Sequence, residues 1–260
     1  MADQAEPVLL QQTRDGVAQL TLNRPAKANT LSEDLMDALE AAVQAADADG
    51  DVRVIVIGAN GKIFCAGHDL ADMQARTIGG ANSEARLENL FARCSQMMLS
   101  IRTAKTPVIA KVQGAAVAAG CQLVAACDLA YASEGARFGV NGINLGLFCS
   151  TPSVALSRAV LPKQALEMLL TGQLITSSRA MEIGLINCAV AANGLDALVE
   201  QTAQSIVRKL PAAIRLGKSL FYDQLGLSEA QAYEMAGTCM AQNMGFDETR
   251  ILIDDFLKPS

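Results

Sequence analysis

Chemistry in this chain has few places to sit. One histidine, His68, occurs among 260 residues, with seven cysteines at positions 65, 94, 121, 127, 149, 188 and 239. A metal site built from several histidines is therefore impossible. A serine–histidine–aspartate arrangement would have to use His68. The cysteine count is odd, the spacings are irregular and no CxxC occurs. That pattern predicts reduced thiols, most of them small core residues, in a cytosolic type of compartment. Cys149 precedes a predicted helix, where a thiol can be activated as a nucleophile; a buried inert thiol is the competing reading. Gly217-Lys218-Ser219 ends like a phosphate-binding loop, but Ala212 stands where the first glycine is needed and a helix precedes it. No G-x-G-x-x-G follows a predicted strand, so a dinucleotide fold has no support. What remains is backbone chemistry. Ala118-Ala119-Gly120 is a small-residue turn leading into a predicted helix. Such a turn presents fixed N–H donors, aided by the helix dipole, to a developing oxyanion. Tight packing is the other use of such a run.

These residues need elements to hold them. Val8 to Gln12 and Val17 to Leu22 read as strands joined at Asp15-Gly16, a hairpin signal. Ser32 caps a helix on which Leu35, Leu39 and Val43 recur. Val52 to Ile57 and Pro107 to Val112 are apolar runs of strands buried on both faces. A helix over Ser83 to Arg102 lies between them. A second over Ala118 to Ala126 precedes a short strand, Leu129 to Ala132. From about Ser150 the signals are helical: Ser153 to Val160, Lys163 to Thr171, Ser177 to Ile183, Leu195 to Lys209, Ala212 to Leu225, Ser228 to Met244 and Asp247 to Leu257. Gly172, Gly184, Gly194 and Pro211 mark breaks. The expected organisation is a mixed α/β core over residues 1–200 and a helical region over 201–260. Just over half the residues are apolar, enough for a large core. No apolar run is long enough to span a membrane. The first seven residues do not resemble a secretory signal or transit peptide. A net charge of -6 repels nucleic acid and anionic membranes, so an anionic ligand needs a local basic patch.

Three segments, in order, resemble the crotonase (enoyl-CoA hydratase/isomerase) superfamily. They are Asn23-Arg24-Pro25-Ala26-Lys27-Ala28-Asn29-Thr30-Leu31, then Phe64-Cys65-Ala66-Gly67-His68-Asp69-Leu70, then a long stretch from Pro107 through Ala119-Gly120-Cys121-Gln122 and Cys127-Asp128 to Phe138-Gly139. Asn144-Leu145-Gly146 and Leu170-Thr171-Gly172 fit the same pattern. The resemblance implies a spiral of ββα turns with a helical trimerisation region, as a homotrimer or a dimer of trimers. It implies a coenzyme A thioester as substrate and no tightly bound cofactor. It assigns the two oxyanion donors to the N–H groups of His68 and Ala119. Backbone of Ala66, Asp69 and Leu70 would meet the adenine. Arg24 and Lys27 would meet phosphates, and Lys258 could reach a neighbouring subunit's coenzyme A. The expected location is cytoplasmic, or the mitochondrial matrix if the source is eukaryotic.

The pattern breaks where a hydratase of this family needs its two glutamates. Gln122 stands at the first position and Gly142 at the second. Neither can take a proton at neutral pH, so acid–base work worth roughly 10²–10⁴-fold per group is lost. Near the implied thioester stand His68, Asn141, Asn144, Cys149, Ser150 and Thr151. The loop around His68 and the later Asn144-Leu145-Gly146 resemble the malonyl-type-CoA decarboxylases of the superfamily, which carry a histidine at the position of His68. They also carry a tyrosine near the position of Cys149, which this chain lacks. Gly146 to Pro152 is similar to an enoyl-CoA hydratase domain group found in mitochondria and bacteria. Three readings stay open. One is an acyl-CoA enzyme of altered chemistry, by decarboxylation or thioester hydrolysis. The second is a non-catalytic acyl-CoA-binding protein. The third is a residual hydratase using His68 or a carboxylate that the sequence does not mark.

Overall fold

The computed structural model describes residues 6–77 and 82–258. Its hairpin pairs β1 (Leu9–Arg14) with β2 (Val17–Leu22), with Arg14 opposite Val17. Asp15 and Gly16 between them take φ of 50° and 76°. Positive φ at both central residues matches the right-handed strand twist. Ser32 then caps α1 (Glu33–Ala48), accepting from the Leu35 N–H. The helix buries Leu35, Leu39 and Val43, as their spacing predicts.

From there the chain winds as a spiral between two sheets. β3 (Val54–Ala59), β5 (Val108–Val112) and β7 (Leu129–Ser133) enter the first sheet. Each is followed by a three-residue strand of the second: β4 (Ile63–Cys65), β6 (Ala115–Val117) and β8 (Arg137–Gly139). Helices close each turn. α2 (Leu70–Thr77) and α3 (Ser83–Thr103) follow β4, and α4 (Ala119–Ala126) follows β6. α5 (Ser150–Ala159) and α6 (Pro162–Thr171) come after β8. Then come β9 (Ile175–Thr176), α7 (Ser177–Glu182) and β10 (Cys188–Val190). The first sheet has the order β1-β2-β3-β5-β7-β10 and the second β4-β6-β8-β9.

β3 is covered on both faces, as its apolar run predicts. Ile55 and Ile57 join the main core with α1, α3 and α4, while Val54 and Val56 pack under α8 (Leu195–Val207). Beyond α8 lie α9 (Pro211–Asp223), α10 (Glu229–Met244) and α11 (Asp247–Leu257). None of these three buries a residue in the single chain. α9 is tied down by polar contacts. Its Lys218 Nζ lies 2.7 Å from Asp128 and its Tyr222 hydroxyl donates to the same carboxylate at 2.7 Å. The Val108 N–H also donates to Asp128, at 2.6 Å.

Three features differ from expectation. The sequence does not announce the second sheet or α2. Three-residue strands are too short to show alternation, and α2 buries nothing, so it has no apolar stripe to read. α5 also begins at Ser150 rather than Ser153, which puts Cys149 at its N-cap.

Candidate active site

The site forms where β4 ends against the start of α4. Gly120 allows this approach: a Cβ on it would lie 2.1 Å from the Cys65 carbonyl oxygen. Gly67 is equally tight. It has φ of 90°, and a Cβ there would lie 2.9 Å from the Ala118 Cβ and 3.2 Å from the Ala119 nitrogen. The loop carrying His68 thus sits directly on the turn carrying Ala119. Ala118 itself takes φ 51° and ψ -118°, a conformation that suits glycine and strains a side chain. It is held by its N–H donating to the Gly139 carbonyl at 2.8 Å.

On the other side the His68 loop is latched to the first turn of the chain. The Leu31 N–H donates to Gly67 and the Ala66 N–H to Ala28, at 2.8 and 3.1 Å. Asn29, fully buried, supports that turn. It accepts from the Arg24 N–H and donates to the carbonyls of Asn60 and Ile63. Among the described residues, the N–H groups of His68 and Ala119 find no acceptor in the protein. Two free backbone donors on adjoining loops can hold a developing oxyanion, since they need no reorganisation as charge appears.

Both residues line a cavity of about 480 Å³. Its walls come from the loops before α2 and α4, from Met73 and Phe91, and from the segment Asn141 to Pro152. Among the described residues no aspartate or glutamate lines it. The His68 ring stands edge-on to Phe91, with centroids 5.6 Å apart, and its Nε2 is buried without a partner. Burial lowers its pKa to about 4, and the Asp72 carboxylate opposes that shift. The imidazole is therefore neutral near pH 7. It can donate or accept one hydrogen bond and carries no charge. Cys149 also lines the cavity, but burial raises its thiol, with the Gly142 N–H opposing. A thiol held protonated is a poor nucleophile.

The family model for enoyl-CoA hydratase/isomerase matches residues 12–250. The chain belongs to the enoyl-CoA hydratase/isomerase family. Enoyl-CoA hydratase domain-containing protein 3, mitochondrial, of Xenopus laevis is 37% identical over 98% of this chain and 85% of its own length. The crystal structure of the human protein of that name covers 97% of this chain and 99% of its own, at 37% identity and a TM-score of 0.91. An enoyl-CoA hydratase from Mycobacterium smegmatis, also a crystal structure, is 48% identical, with a TM-score of 0.92 over 97% of this chain and 96% of its own. The crotonase-type spiral expected from the motifs is thus the fold observed.

Within this enoyl-CoA hydratase/isomerase chain the expected site residues divide into groups. His68, Ala119, Asn141, Gly142, Cys149, Ala66 and Leu70 all line the first cavity. Asp69 sits beside them but turns its carboxylate to the start of α2, accepting from the N–H groups of Ala71 and Asp72. Arg24 is half-buried and donates to the Thr30 carbonyl at 2.8 Å, while Lys27 is exposed on the same turn. Asn144 does not line the cavity; it donates to the Gly172 carbonyl at 3.1 Å. Lys258 is exposed at the end of α11, paired with Asp255. Gln122 lines a second cavity instead, which meets the first at Thr151. Gly142 leaves no room for any side chain: a Cβ there would lie 2.4 Å from the Leu147 carbonyl oxygen and 2.9 Å from the Cys149 sulfur. Met73, Leu147 and Phe148 were not singled out from the sequence, because apolar lining and apolar core use the same residue types.

Proposed function

We infer that this chain binds an acyl-coenzyme-A thioester, with the thioester oxygen on the N–H groups of His68 and Ala119, and stabilises an enolate without a carboxylate base. The observation that carries the reading is the first cavity itself: two free donors, one neutral histidine and no acid in its walls. Hydration by a glutamate pair is disfavoured, because the motifs would put Gln122 and Gly142 at the positions of those glutamates. Reactions that need an oxyanion hole but no base suit the cavity better. In decarboxylation the carbon–carbon bond breaks, carbon dioxide leaves, the bond's electron pair forms the enolate held by the two N–H donors, and a proton from water then adds at the α-carbon. Thioester hydrolysis with His68 positioning a water is the second reading, favoured by a neutral imidazole in the cavity wall. Ala66, Asp69 and Leu70 would meet the adenine and Arg24 and Lys27 the phosphates. Residues 201–260 would supply the trimer contacts, and Lys258 would reach a neighbour's coenzyme A. The mitochondrial relatives support the matrix as the location in a eukaryotic source.

The test is a panel of enoyl-, malonyl-type and saturated acyl-CoA thioesters incubated with the protein and followed by mass spectrometry. Release of carbon dioxide or free coenzyme A, with no water addition, is the expected result. Hydration of a short 2-enoyl-CoA at ordinary hydratase rates would sink the reading. Coenzyme A thioester binding without turnover of any substrate would leave a binding protein.

A further inference from the structure

Thr151 is the shared wall of two cavities. Beyond it the second cavity has a volume of about 860 Å³ and lies between α3, α4, α5 and the end of α9. Its chemistry is unlike that of the first. Arg102 and Arg158 line it, and among the described residues no aspartate or glutamate does. Arginines elsewhere in this chain are commonly spoken for: Arg76, Arg93, Arg179 and Arg215 each pair with a carboxylate. These two do not. Arg102 lies with its guanidinium carbon 3.7 Å over the Tyr222 ring, and Arg158 donates only to the Val154 carbonyl of its own helix. The chain holds 27 acids against 21 lysines and arginines. Two cations meeting at an acid-free cavity therefore run against the overall balance.

A third polar group closes the set. Gln122 is 4% exposed, and its Oε1 is buried without a partner. Among the described residues its amide NH₂ donates to no protein acceptor, and the residue lines the cavity, so those donors can meet a ligand acceptor. The oxygen needs a donor, so what a ligand acceptor can meet at this wall is the amide NH₂. A carboxylate is the group that suits these three donors together, because guanidinium forks match its two oxygens.

We propose that the second cavity is an acyl-tail subsite that recognises a carboxylate at the far end of the chain, through Arg102, Arg158 and Gln122. This rests on the reading of the first cavity as the thioester site. The substrate class is then the coenzyme A thioester of a dicarboxylic acid. The thioester lies on the His68 and Ala119 donors, and the chain passes Thr151 to the arginines.

The test uses the intact protein and isothermal titration calorimetry. The probes are coenzyme A thioesters of straight-chain dicarboxylic acids of six and eight carbons, each matched with the methyl-ended acid of equal length. The expected result is that at least one dicarboxylic thioester binds about ten-fold tighter than its methyl-ended match, the size of one charge-assisted hydrogen bond. In Arg158→Gln and Arg102→Gln proteins, checked for folding by thermal melts, that ratio falls toward one. Arg158→Glu reverses it. Arg158 is exposed, so its variants report on recognition even if Arg102→Gln does not fold. Equal affinities within every pair, or a preference that survives both Arg158 variants, would overturn the subsite while leaving the thioester site standing. Failure of every thioester to bind would overturn both.

Discussion

At the residue scale, His68 and Ala118 both hold forms that their residue types resist. His68 is neutral because its surroundings cannot solvate a charged ring. Its pKa is about 4 in the fold against 6.5 for the free side chain. Between those values the unfolded chain holds more protons than the folded one, so stability falls as the pH drops through that window. Below about pH 4 the loss is complete and the curve flattens. Urea unfolding at pH 7 and pH 5 should show this fall, and His68→Gln should reduce it. A variant as pH-sensitive as the parent would place the cause elsewhere. Ala118 carries the other cost. Its φ of 51° with ψ -118° strains any side chain, by about 1–3 kcal/mol. Ala118→Gly relieves that strain and adds back about 0.5–1 kcal/mol of chain entropy. A net gain of about 1 kcal/mol in unfolding free energy is expected, read as a higher urea midpoint.

At the element scale, the long elements were legible in the sequence and the short ones were not. α1, α3 and α6 bury residues at helical spacing, and β3 and β5 are apolar runs. The motifs placed the His68 and Ala119 loops, because close approach restricts Gly67 and Gly120 to glycine. The direction in which Gln122 points was not legible. All eight residues of α4 are buried, so no polar face marks one side from another. α9 is the element with the most specific anchor. Lys218 and Asp128 are 8% and 13% exposed, and Tyr222 completes the group. Asp128→Asn leaves the Lys218 charge buried without its partner, at a cost of about 3 kcal/mol. Hydrogen exchange should speed up along α9 first, while the amides of α4 keep their protection.

At the scale of the whole molecule, the last two helices are an unfinished surface. Phe256 is 87% exposed, Tyr233 72% and Leu257 69%. α10 and α11 bury no residue within their own chain. A helix with no buried stripe gains little from its own fold, since helical stability comes mostly from packing. Association of three chains, or six, would supply that packing. Sedimentation should give three or six times the chain mass of 27.3 kDa. Ile251→Asp together with Phe256→Asp should shift the protein to single chains and increase exchange along α10 and α11. A parent protein that sediments as one chain at micromolar concentration would contradict this.

The missing side chain at Gly142 has a consequence for how this protein could change. The carbonyl of Leu147 and the thiol of Cys149 already fill the volume that the first atom of a new side chain would need. Part of that obstacle is main chain, which no choice of rotamer can clear. A carboxylate therefore cannot be introduced here by one substitution: the path from 145 to 149 must be rerouted first. Adding one is thus a matter of order. A designer seeking water addition from this scaffold should begin with the loop and change residue 142 last.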